Sequence, residues 1–97
     1  MIIKNGLVVD PALGLSEKMD LAIENGTILK IGKNIDTDQV SNDTEILDAT
    51  GLVVAPGLID THVHFRDPGF TYKEDLHTGA LAAAKGGFTS VICMANT

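Results

Sequence analysis

Cysteine is almost absent from this chain: Cys93 is the single one among 97 residues, which rules out an intrachain disulfide. It stands in Ser90-Val91-Ile92-Cys93-Met94, an apolar run that reads as a buried strand and makes the thiol an inert core group. Basic residues are also scarce. Seven Lys and Arg face thirteen Asp and Glu, for a net charge of −6, and the seven are scattered. That distribution argues against a nucleic-acid or anionic-membrane surface, although a small anion can still bind where local charge is favourable. No apolar run approaches the roughly 20 residues needed to cross a bilayer. Met1 to Gly6 lacks the charged and apolar regions of a signal peptide, so the expected location is the cytoplasm.

What is present is ordinary globular composition, 44% hydrophobic and 21% charged. Two zones divide near Pro56. Residues 1–55 alternate short β segments with turn residues: Ile2-Ile3, Gly6 to Val9, Asp20 to Glu24, Thr27 to Ile31, Glu45 to Asp48 and Leu52 to Ala55. Asn25-Gly26 between two of them is a strong hairpin signal, because both residues tolerate positive φ. This zone is expected to be a small β domain. The polar stretch from Asn34 to Thr44 reads as a surface loop. Its Asp36, Asp38 and Asp43 lack the glycine and terminal glutamate of a calcium loop.

After Pro56 the period changes. Leu58 to His64 reads as a buried strand. Thr71-Tyr72-Lys73-Glu74 has the form of a capping box, with Thr71 as N-cap and Tyr72 and Lys73 beginning a helix. Leu76, Ala80, Ala83 and Ala84 continue it to Gly86-Gly87, and Phe88 to Met94 reads as a second buried strand. Residues 58–94 thus form one βαβ unit with a right-handed crossover. Two parallel strands and one helix leave unpaired edges and an uncovered face, whereas a complete (β/α)8 barrel takes about 250 residues. The expectation is an N-terminal portion of a longer protein.

The chemistry concentrates in Asp60-Thr61-His62-Val63-His64-Phe65-Arg66, at the end of the first of those strands. Residues two apart on a strand share a face, so His62 and His64 can converge on one metal ion. On spacing alone, the pair also suits two half-exposed polar positions. Arg66 alone reads as a surface cation, and Asn96 as a turn cap after the second strand. Asp60 falls by alternation on the same face as the histidines and is read as structural. His77, beside Asp75 and Thr78 on the predicted helix, is read as a solvent-facing or packing residue rather than a ligand.

Pro56-Gly57-Leu58-Ile59-Asp60-Thr61-His62-Val63-His64 resembles the first barrel strand of the amidohydrolase superfamily. With Phe65-Arg66-Asp67-Pro68-Gly69 and Met94-Ala95-Asn96-Thr97, the whole chain is similar to class I dihydroorotases. The resemblance implies an α/β fold: a small β-sandwich-type unit over residues 1–55, then over residues 56–97 the truncated first βαβ unit of a metal-dependent (β/α)8 TIM-like barrel. It implies reversible cyclisation of N-carbamoyl-L-aspartate to L-dihydroorotate in pyrimidine synthesis, dependent on one or two zinc ions. His62 and His64 match the family's metal ligands. Arg66 and Asn96, with His64, match its substrate contacts. A guanidinium fork suits a carboxylate, and an amide can donate and accept beside it. The remaining ligands and the catalytic aspartate belong to later strands, so no catalytic residue is assigned here and the chain alone is expected to be inactive. A homo-oligomer and association with aspartate transcarbamoylase are the partner states the family suggests.

Two other readings compete. A hydantoinase, dihydropyrimidinase or allantoinase shares the paired histidines, and Arg66 argues against it as a carboxylate clamp that such a substrate leaves unmatched. A non-catalytic truncated or assembly module is the other, motivated by the open strand edge and the missing ligands.

Overall fold

Branched apolar residues at alternating positions extend the first half of the chain into strands, and the small residues Gly79 to Ala84 curl part of the second half into a helix. The computed structural model describes residues 1–37 and 43–95, in two units, Met1–Pro56 and Gly57–Thr97. Together they form a strand-rich, mixed α/β chain. Among the described residues no helix is long and apolar enough to cross a membrane.

The first unit is one mixed sheet. Strand β1 (Ile2–Asp10) pairs antiparallel with β2 (Leu15–Glu24), which pairs antiparallel with β3 (Thr27–Gly32). On its other edge β1 takes β4 (Ile46–Asp48) and then β5 (Val53–Val54), both parallel. The described strands of this unit therefore make a single sheet, not the two facing sheets of a sandwich, because β4 and β5 follow one another along one edge of β1. The β2–β3 turn is the expected one: Asn25 and Gly26 both have positive φ, 51° and 74°.

Ile2-Ile3 and Gly6 to Val9 are one strand, not two. Between Ile3 and Gly6, β1 uses three residues where β2 uses two, from Leu21 to Met19, so Asn5-Gly6 is a bulge rather than a turn. Asn5 sits there at φ 66°. The Asp20 carboxylate holds the bulge by accepting the Asn5 N–H at 2.8 Å, the Ile35 N–H at 2.8 Å and the Lys4 ammonium at 2.7 Å. Burial pushes this carboxyl upward, but the hydrogen bonds from Lys4, Asn5 and Ile35 outweigh it and hold the group below its ordinary value. Ile2, Val8, Leu21 and Ala49 form the buried apolar core around this network.

The second unit pairs β6 (Leu58–Val63) in parallel with β7 (Phe88–Cys93), connected through α1 (Leu76–Lys85). Helix α1 starts later than Thr71-x-x-Glu74 suggests. Asp75 is the N-cap: its carboxylate accepts the Thr78 N–H at 2.8 Å while the Thr78 hydroxyl accepts the Asp75 N–H at 3.1 Å. Thr71 instead donates its hydroxyl to Asp67 at 3.2 Å, and Tyr72 and Lys73 lie in the preceding turn with Lys73 Nζ 5.0 Å from the Phe70 ring centre. The expected burial of both strands also fails. Phe88 and Val91 share a hollow with Gly79, Ala82 and Ala83 of α1, but Leu58, Ile59, Ile92 and Cys93 are exposed, because one helix covers one face of a two-stranded pair. Cys93 is thus not a core thiol in this structure.

Candidate metal centre at the end of the first parallel strand

The end of β6 departs from regular pairing. From Asp60 to Val63 it uses three residues where β7 uses two, from Val91 to Cys93. Such a bulge re-aims side chains at a strand end. Asp60 Oδ1 accepts the His62 N–H at 3.0 Å, and the Met94 N–H bonds the Val63 carbonyl at 2.7 Å just beyond the ladder.

His62 lies on the bulged turn of β6 and His64 one residue past its end, both exposed. Their Nε2 atoms are 3.2 Å apart, with ring centres 5.1 Å apart and planes inclined by 64°. Two nitrogens each about 2.0–2.1 Å from one tetrahedral zinc stand roughly 3.3 Å from each other. The pair therefore fits two corners of a shared coordination shell. The same separation suits a hydrogen bond between two neutral rings, the tautomer deciding which one donates. No group of three or more His, Cys, Asp or Glu is arranged for a metal among the described residues, so the pair supplies at most half of a four-coordinate shell.

The residues after His64 are anchored rather than loose. Gly79 is buried in α1, and a Cβ there would meet the Phe65 ring at 2.5–2.8 Å, so the missing side chain is what lets Phe65 lie on the helix. Arg66 follows with φ 68°, a region that non-glycine residues enter at a cost, and its carbonyl accepts the Phe70 N–H at 2.7 Å. Asp67, Pro68 and Gly69 form the expected turn, with a cis peptide before Pro68.

Residues 51–97 match a family model described as dihydro-orotase-like. Over all 97 residues the chain is 59% identical to the dihydroorotase of Streptococcus thermophilus strain CNRZ 1066 and 59% identical to that of Clostridioides difficile strain 630. The chain belongs to the dihydroorotase family. It spans 22% of the length of those curated relatives. Among solved structures, a D-hydantoinase matches 95% of this chain with 19% of its own, at 38% identity and a TM-score of 0.79.

Within this member of the family, the fold brings His62 and His64 together and sets Arg66 two residues further along the same loop. Asn96 lies outside the described residues, as does Asp38 of the surface loop. His77 is exposed on α1, away from the pair in sequence and on another element. Two features escaped the sequence reading. Asp60 bonds the His62 backbone, and the alternation argument was blind to it because a bulge breaks alternation. The Phe65–Gly79 contact was legible only as an unexplained glycine inside a helical pattern.

Proposed function

We propose that this chain carries the first metal ligands and the substrate-carboxylate clamp of a zinc-dependent dihydroorotase. In this reading residues 1–55 are a supporting β domain and residues 56–97 the opening βαβ unit of a (β/α)8 barrel. The observation that supports it most is the 3.2 Å separation of the His62 and His64 Nε2 atoms, in a chain 59% identical to a dihydroorotase along its whole length.

His62 and His64 would hold one of one or two zinc ions, which when bound supplies Lewis-acid polarisation of the ring amide and lowers the pKa of water. The chain's own residues bind and orient. Arg66, two residues past His64, would present a guanidinium fork to a carboxylate of N-carbamoyl-L-aspartate or L-dihydroorotate. Asn96, following β7, would add an amide contact to the same substrate, beside His64. The remaining metal ligands and the group that moves the proton come from parts of the enzyme outside these 97 residues. Cytoplasmic location, self-association and association with aspartate transcarbamoylase complete the proposal as family expectations.

A cyclic-amide hydrolase of the hydantoinase type is the second reading, favoured by the 0.79 TM-score to a D-hydantoinase. Metal content and hydrolysis of dihydroorotate and hydantoin by the full-length protein separate the two. A dihydroorotase holds zinc, loses it on His62→Asn, and turns over dihydroorotate in preference to hydantoin. Preference for hydantoin, or zinc content unaffected by His62→Asn, would overturn the reading.

A further inference from the structure

We infer that Asp60 is a positioning residue for the metal pair, acting through the backbone of His62 rather than as a ligand. This rests on the reading of His62 and His64 as metal ligands. Three observations carry it. Asp60 and Val63 bracket a stretch in which β6 has three residues against two of β7, so its amides fall out of step with the partner strand. The His62 N–H, inside that stretch, donates to Asp60 Oδ1 at 3.0 Å. His62 within that stretch and His64 one residue past it bring their Nε2 atoms to 3.2 Å.

What fixes a bulge decides where its side chains aim. A residue left unpaired in a ladder is free to choose among backbone directions, and its Cβ direction follows that choice. A side chain two residues back that accepts its amide closes a local turn and selects one of them. At the other end, Phe65 is seated against Gly79, so the four residues 61–64 between Asp60 and Phe65 are tied at both ends. The Asp60 carboxylate thereby sets the aim of His62 while His64 is aimed by its own anchored neighbour. The role requires an acceptor oxygen at this position and does not require its negative charge.

The test is metal affinity in the full-length protein, read by competition for zinc and by the visible spectrum of the cobalt(II) form, alongside thermal unfolding of the apoprotein. Asp60→Ala removes the acceptor and is expected to weaken zinc about 10- to 100-fold, the size typical of losing an outer contact that orients a ligand. Asp60→Asn keeps an acceptor oxygen in the same place without charge and is expected to restore affinity to within a few-fold, with a cobalt spectrum like that of the unaltered protein. Unchanged affinity in Asp60→Ala overturns the inference. So does Asp60→Asn binding as weakly as Asp60→Ala, since charge or ligation would then be what matters. If Asp60→Ala yields no folded protein, Asp60→Asn decides alone: retained affinity supports the backbone role and a tenfold loss sinks it. His62→Asn serves as the reference. If it fails to reduce zinc binding, the metal-pair reading itself falls, whereas loss in His62→Asn with none in Asp60→Ala removes only the role of Asp60.

Discussion

The two units divide their labour unequally. Among the described residues, the unit Met1–Pro56 holds all four buried apolar ones and a buried carboxylate, yet none of the candidate site residues. The unit Gly57–Thr97 holds the paired histidines and Arg66, yet its one buried residue among those described is a glycine. Leu21 in the first is 5% exposed and Ile59 in the second 67%. The candidate site is organised by local features, a bulge, a cap and one aromatic contact. What stabilises the chain and what performs its chemistry should respond to different substitutions.

The largest expected effect belongs to the second unit and to catalysis. In the full-length protein Arg66→Met removes the proposed carboxylate clamp and should lower kcat/KM for dihydroorotate about 100- to 1000-fold, the range for truncating one partner of a buried charge pair. Thermal stability should change less than activity, since the proposed clamp acts on bound substrate. Steady-state kinetics and a melting curve on one preparation check both halves, and unchanged kinetics would sink the clamp.

Next comes the first unit. Asp20→Ala strips three donors of their acceptor, the Lys4 ammonium among them, in a site where Asp20 is 3% exposed. Replacing a buried pair by apolar groups can be neutral, but removing one partner strands the other, at about 3 kcal/mol here. Denaturant unfolding should show that loss while zinc affinity of the folded protein holds. A fall in both would mean that the units are not energetically separate.

A third substitution tests whether stability and chemistry meet at one point in the second unit. Gly79→Ala puts a Cβ into the Phe65 ring. Better helix propensity, worth about 1 kcal/mol, offsets part of an overpacking cost of about 1–3 kcal/mol, leaving a net loss of about 1 kcal/mol. Displacing Phe65 should also weaken zinc several-fold through His64. Phe65→Leu, by freeing space, should cancel part of both effects in a double-mutant cycle.

How far these differences were legible in the sequence follows from the range of the interactions involved. The Asn25-Gly26 turn, the parallel pairing of the two later strands and the closeness of His62 and His64 depend on local spacing, and each could be read directly. The helix start was misplaced because Thr71-x-x-Glu74 and Asp75-x-x-Thr78 both have capping form, and the second occurs where the chain actually turns helical. The Asn5 bulge was read as a break, since the carboxylate that satisfies its amide comes from Asp20 on the neighbouring strand, 15 residues away. Ile59, Ile92 and Cys93 are exposed within these 97 residues although their run suits a buried strand, because apolar composition records what a strand can pack against and not what covers it.

The smallest effect, and the finest separation of the units, lies in acid. Asp20 and Asp75 are both held below their ordinary carboxylate value, Asp20 by the Lys4, Asn5 and Ile35 hydrogen bonds against burial, Asp75 chiefly by the Thr78 backbone N–H. A carboxyl with a depressed folded-state pKa binds fewer protons folded than unfolded. Its stabilisation is therefore fully present above the unfolded value near 3.8 and is lost as pH falls through the lower folded one. Asp20→Asn removes that titration in the first unit, and Asp75→Asn removes it in the second while leaving a good N-cap. Denaturant midpoints between about pH 5 and pH 2 should therefore fall less steeply in Asp20→Asn than in the unaltered protein. Asp75→Asn should change the slope less, because solvent screens its exposed helix end more than it screens the part-buried Lys4–Asp20 pair. Equal slopes for Asp20→Asn and the unaltered protein would show that the buried network does not depress Asp20, and would remove the clearest energetic contrast between the two units.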